Sequence, residues 1–285
     1  MSSNAGTTFN GASLERRLFK QKLFIACLGT FAVLICIPIV LILGFVIQKG
    51  LPVLTWSFFT DVPKPVGEIG GGVANGIIGS LILVAIAALL AFPVGILTGA
   101  FLVEYPRHAL SSVVRICIEI LQGIPSIVLG ILAYLWIVSP MGNFSAFSGG
   151  IALSMMLLPL IIRSTEDTLS MIPVTLKEAS LSLGVPYYRT FLKVILPTGL
   201  SGIMNGALLG ISRIAGETAP LLFTAFGNPF ISVHLGEPVN ALPLIIFNYA
   251  TSPYQDWQSI AWGASLLLIM MTLGLSLLTK VLLRK

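Results

Sequence analysis

PVTLKEASLSLGVPYYRTFLKVILP, residues 173–197, is the most informative segment of this chain. It belongs to a mostly polar island, Arg163 to Lys193, set between long apolar runs. Two short helices are legible in it. Pro173 suits a first helical turn, where its missing N–H costs nothing. Leu176, Ala179 and Leu183 then recur at helical spacing, giving one apolar stripe. Gly184 stands where a helix stops, and Val185-Pro186 restart the chain into PYYRTFLKVI. A short helix with an apolar stripe needs a surface to cover it. From these residues alone, that surface is either the chain's own bundle ends and the membrane, or another protein.

The flanking runs set the solvent. The chain has 285 residues, of which 56% are hydrophobic and only 9% charged, and its mean hydropathy is +0.98. Soluble domains carry about 25% charged residues. This chain cannot wet a soluble surface, which excludes a cytosolic enzyme, a disordered protein and a nucleic-acid binder. A spanning helix needs about 20 mostly apolar residues. Six segments approach this: Leu23–Ile47, Gly76–Val103, Val113–Val138, a short Gly149–Ile162, Gly199–Phe226 and Ser259–Leu283. Arg16, Arg17, Lys20 and Lys22 precede the first, but its apolar run is too long for a cleaved signal peptide. The reading is an all-α integral membrane protein. Residues 1–22 form an N-terminal tail, 23–47 the first span, 48–75 an outer loop, and 76–283 a five-helix core that includes the inner loop 163–193. Of sixteen Lys and Arg, thirteen fall in the termini and the loops on one side, while only Lys49 and Lys64 fall on the other. The excess of positive charge marks the cytoplasmic side, so both termini are expected to be cytoplasmic. A net charge of +5 then needs no nucleic acid to explain it.

Enzyme chemistry has no foothold. The two histidines, His108 and His234, lie in loops, HExxH is absent, and no GxxxxGK[ST] loop occurs. No catalytic or metal-ligating set is expected. Cys27, Cys36 and Cys117 sit in apolar runs without CxxC spacing and read as small packing residues.

Spacing within the inner loop carries a family resemblance. Glu178-Ala179-Ser180, three residues, Gly184, nine residues, then Val194-Ile195-Leu196-Pro197 resembles the EAA loop of ABC importer permeases. Ser180 replaces an alanine and Val194 an isoleucine. The resemblance implies that Glu178, Ala179, Ser180 and Gly184 belong to coupling helices that dock on a separate ATPase. Two more runs, Gly123-Ile124-Pro125-Ser126-Ile127-Val128-Leu129-Gly130 and Arg213-Ile214-Ala215-Gly216-Glu217-Thr218-Ala219-Pro220, resemble GIPSIVxG and RxxGETAP of the membrane subunits of phosphate ABC importers. Together the similarity runs from Leu23 to the end. It implies a six-helix type I ABC importer permease fold in a bacterial inner membrane, as a multi-pass protein. The implied partners are a sister permease forming a heterodimer, two ATPase subunits and an extracytoplasmic phosphate-binding protein. ATP and Mg would be held by the ATPase, and no cofactor by this chain. An importer of molybdate or sulfate shares the architecture, and an ATP-independent channel or scaffold is the reading from another class.

Arg213 and Glu217 stand four apart in an otherwise apolar run and share one helix face. An arginine at bilayer depth is costly and faces a cavity or a partner. Its planar fork of donors matches phosphate oxygens. A role in the anion path and a structural ion pair both fit. Arg163, at the end of a short span, either snorkels to the interface or supplies a second guanidinium to the anion. Gly202, Gly206 and Gly210 form a ridge that permits close helix approach or leaves room for the anion. Glu119, four residues from Arg115, is expected to pair with it, and Gly123 with Pro125 to break or kink the third span.

Overall fold

The structure is a computed structural model that describes residues 11–68 and 70–282. The chain divides into two compact units, residues 1–48 and 49–285. The described residues of the first belong to α1, Gly11–Gly50, which runs two residues past it. The helix thus begins ahead of the expected span and takes in Arg16 to Lys22. The disordered tail expected for the first dozen residues lies almost wholly outside the described residues.

The second unit is built around three helices: α3, Ala74–Glu104; α6, Ala146–Ser170; and α8, Tyr187–Ile214. Short pieces join them, with α2 at Trp56–Thr60 and the pair α4, Ala109–Gly123, and α5, Ser126–Met141. Beyond these come α7, Val174–Ser182, α9, Ala219–Leu222, α10, Leu242–Ala250, and α11, Gln255–Leu282. Among the described residues, five helices are long and apolar enough to cross a membrane, and up to six spans result if the α4–α5 pair counts as one.

Without a hydrophobic force between helices in lipid, close packing has to hold the bundle. Glycines provide it on both sides of α6. A Cβ at Gly95 or Gly99 of α3 would meet Ile161 at 2.6 Å or Thr165 at 2.6 Å. On the other flank, a Cβ at Gly202 would meet Thr168 at 2.5 Å, one at Gly206 would enter Ser164, and one at Gly210 would meet Leu157 at 2.6 Å. The glycine ridge of α8 is therefore a contact surface. Leu83, Leu153, Leu157, Ile161, Ala207 and Ile214 fill the core between these helices. A second core joins Phe58, Leu242, Ile245, Ile260 and Ala264.

Several expectations are corrected. The fourth span does not stop at Ile162; α6 runs on through Ser170, and Glu166 in that extension is paired with Arg115 of α4. The fifth span is displaced: it is continuous from Tyr187 to Ile214, and the expected stretch to Phe226 is broken after Ile214. Pro197 lies inside that helix. Phe191–Ile195 is a π-helical turn in which the Leu196 N–H reaches the Phe191 carbonyl. That wide turn contains Lys193, whose carbonyl a proline four residues on would otherwise crowd. The same device, Tyr134–Val138, precedes Pro140. The break expected at Gly123 and Pro125 is present, by contrast: α4 and α5 meet at 106° around Ile124-Pro125. The long loop after Phe226 contains α10, which starts on Leu242 with Pro243 in its first turn and was not expected. The three cysteines are free and exposed rather than packed.

Candidate functional site

Two adjoining cavities lie where α4, α5, α6 and α8 meet. The first, about 300 Å³, is lined by Gln122, Gly123, Pro125, Ser126, Arg213 and Glu217. The second, about 450 Å³, is lined by Gln122, Arg163, Ser164, Asp167, Thr168 and Arg213. Arg213 and Gln122 belong to both walls, so they stand at the junction. The break at Ile124-Pro125 positions this site: it brings the first residue of α5 to the wall beside Arg213. A helix start carries partial positive charge from unpaired N–H groups, which adds to that of the guanidinium.

Arg213 comes from the last turn of α8, where Ala215 and Gly216 end the helix; the Gly216 N–H closes on the Arg213 carbonyl at 3.2 Å. Its Nε is 3.9 Å from Glu217 Oε1, and the two side chains are 62% and 20% exposed. That distance is too long for a hydrogen bond. The arginine is held loosely, with its donors open to the cavities. Arg163 faces the same second cavity from α6, and Nη1 of Arg163 lies 3.8 Å from Glu166 Oε2. Thus Arg213, Glu217 and Arg163 converge, although Arg163 and Arg213 are fifty residues apart in sequence.

Glu178, Ala179, Ser180 and Gly184 are elsewhere and line neither cavity. No residue of α7 is buried; Leu176 is 39% and Leu183 83% exposed. The chain does not cover its own stripe. Gly184 has φ +76°, the left-handed conformation that lets the chain turn after α7. Ser180 Oγ lies 2.9 Å from Thr190 Oγ1 in a hydroxyl–hydroxyl hydrogen bond that ties α7 to the start of α8. The departure from alanine therefore adds a cross-link. Lys177 forms an ion pair with Glu104 at the end of α3 and sits 5.0 Å above the Tyr187 ring.

The expected Arg115–Glu119 pair is replaced. Arg115 instead binds Glu166 of α6, with Nη2 at 2.8 Å from Oε1. Sequence reasoning missed Glu166, Ser164 and Asp167; the sole signal was their spacing from Arg163 at one helical turn or less.

A polytopic helical bundle with a broken span, a charged internal cavity and an uncovered helix pair at one end defines a membrane transport subunit. Residues 91–285 match the family model described as binding-protein-dependent transport system inner membrane component. The phosphate transport system permease protein PstA of Yersinia pestis is 41% identical over 245 residues, covering 86% of this chain and 83% of that protein. The probable PstA of Methanocaldococcus jannaschii is 33% identical over 266 residues, covering 91% and 92%. Among solved structures, an inward-facing form of the MetNI methionine ABC transporter superposes with a TM-score of 0.62 at 20% identity, covering 74% of this chain and 94% of that one. The chain belongs to the binding-protein-dependent inner membrane transport family, and within it to the PstA-type permeases. It is a multi-pass transport component with the ABC importer permease fold.

Proposed function

We propose that this chain forms one half of the channel of an ATP-driven phosphate importer, passing phosphate from an extracytoplasmic binding protein to the cytoplasm. The observation that carries the reading is the convergence of Arg163 and Arg213 on adjoining cavities between the helices. Guanidinium forks bind phosphate oxygens in a bidentate way. The carboxylate beside Arg213, Glu217, can accept the proton of a protonated phosphate oxygen. The relatives above, named as phosphate transport permeases, support the choice of anion over molybdate or sulfate.

In this reading the second half of the channel is a sister permease. One of two ATPase subunits covers the bare stripe of α7, the pair hold ATP with Mg, and Glu178, Ala179, Ser180 and Gly184 shape the docking surface. The thirteen-to-two split of Lys and Arg supports a cytoplasmic position for α7 and both termini. The test is to purify the chain with its partners, reconstitute the complex in vesicles and measure phosphate uptake. Uptake should require ATP and the binding protein, and excess sulfate or molybdate should not compete. Uptake without ATP, or competition by another oxyanion at equal concentration, overturns this assignment.

A further inference from the structure

Glu166 lies one helical turn beyond Arg163 on α6, and its two oxygens are treated differently. Oε1 accepts Nε of Arg115 at 2.9 Å and is 2.8 Å from Nη2. The same guanidinium also donates to the carbonyls of Pro106 and Leu102, each at 3.3 Å. Arg115 is thereby fixed across α3, α4 and α6. Oε2, by contrast, is buried and accepts no hydrogen bond. A buried carboxylate oxygen left without a donor is costly. The guanidinium closest to relieving that cost is Arg163, with Nη1 at 3.8 Å. A movement of about 1 Å would complete a charge-assisted hydrogen bond of normal length.

Arg163 is 46% exposed while Glu166 is 14% exposed, so the arginine can move and the carboxylate cannot. The arginine lines the second cavity together with Asp167 and Arg213. Among the described residues, Glu166 is the carboxylate within 4 Å of it. Arg163 therefore stands between two acceptors, an immobile one behind it and an anion in the cavity before it.

We propose that Glu166 competes with the transported anion for Arg163 and so sets how readily the anion is released. When the anion occupies the cavity, Arg163 turns to it and Oε2 stays unsatisfied. When the anion leaves, Arg163 falls back on Oε2, which gains the donor it lacked. Glu166 thus weakens retention and speeds departure. It touches no substrate and acts as a positioning residue. The inference rests on the reading that Arg163 belongs to the anion path.

The test uses the reconstituted complex with inorganic phosphate and the binding protein at saturation of the complex. Glu166→Gln keeps an oxygen for Arg115 and turns an NH₂ toward Arg163, which removes the competing acceptor. KM for phosphate is expected to fall by about 3- to 10-fold, the scale of one partial charge-assisted contact, with kcat falling alongside. In an Arg163→Gln background the same substitution should change neither value further, since coupled residues lose their coupling when one is gone. Glu166→Asp, which keeps the charge, should restore part of the kcat. A purely structural Glu166 gives the opposite pattern: fewer assembled complexes, with KM per complex unchanged in Glu166→Gln, and that result overturns the proposal. Normal KM and kcat for Arg163→Gln alone would instead remove Arg163 from the anion path, a failure of the underlying reading.

Discussion

Replacing Arg213 by glutamine separates the two roles open to it. The 3.9 Å gap to Glu217 and the 62% exposure of the arginine make this a weak pair. Exposed pairs of this kind contribute about 0–1 kcal/mol, so Arg213→Gln should insert and assemble at wild-type levels. Contact with an anion is a different magnitude. A hydrogen bond to a charged group contributes about 1.5–3 kcal/mol, which is roughly a 10- to 150-fold loss of uptake at low phosphate. Arg213→Lys keeps the charge without the planar fork and should also lose most uptake. Glu217→Gln should lose it partly, since an amide oxygen keeps a weaker dipolar attraction for the guanidinium in place of the full charge. The assay is ATP-dependent phosphate uptake into vesicles, normalised to assembled complex, for both single variants and the double variant. An ion pair that serves only structure predicts that both singles misassemble and the double recovers, because removing both charges removes the unpaired one. Recovery of uptake in the double variant would refute the reasoning.

Other perturbations follow from the same geometry. Gly206→Ala places a methyl group into Ser164 and should destabilise the α6–α8 contact by about 1–3 kcal/mol, read as a lowered unfolding midpoint in detergent; Gly274→Ala, with open space around it, should not. Gly184→Leu meets no neighbouring atom but must hold φ +76°, a strain of about 1–2 kcal/mol, so uptake and ATPase stimulation should fall together, while Gly184→Asn keeps most of both. In a background lacking Cys27, Cys36 and Cys117, cysteines at Lys64, Asn143 and His234 should react with an impermeant reagent from outside and one at Leu183 should not. Labelling of position 183 from outside would invert the membrane orientation.

What was legible in the sequence follows from how local each signal is. Arg213 declares itself because a lone charge in an apolar run demands a reason. Gly184 marks the end of α7 because a left-handed turn favours glycine, and φ +76° is found there. The end of α6 was misplaced for the converse reason. Arg163, Glu166 and Asp167 resemble an interface, yet Glu166 is neutralised by an arginine fifty-one residues away, and no local pattern reports such a partner. The same distance misled the choice for Arg115, where Glu119 offered a nearer match at helical spacing. The expected fifth span starts at Gly199, just past Pro197, but the helix runs through that proline by way of a π turn, and such a turn leaves no mark in composition. Within the candidate site, the identities of Arg163, Arg213 and Glu217 were readable, but their convergence depends on the 106° break between α4 and α5.

The glycine contacts on both flanks of α6 have a mechanical corollary. Helices α3, α6 and α8 touch with almost no slack, so any one of them that tilts must carry the others, as parts of a wedge do. Flexure then has to be taken up at the wedge's joints. Two of these are the non-helical pieces at Ile124-Pro125 and from Ala215 to Thr218, and both reach the wall of the first cavity, through Ile124, Pro125 and Glu217. Rocking this wedge by a few degrees would thus reshape the cavities around Arg213 while leaving the packed trio undeformed, as a lever does work at its fulcrum.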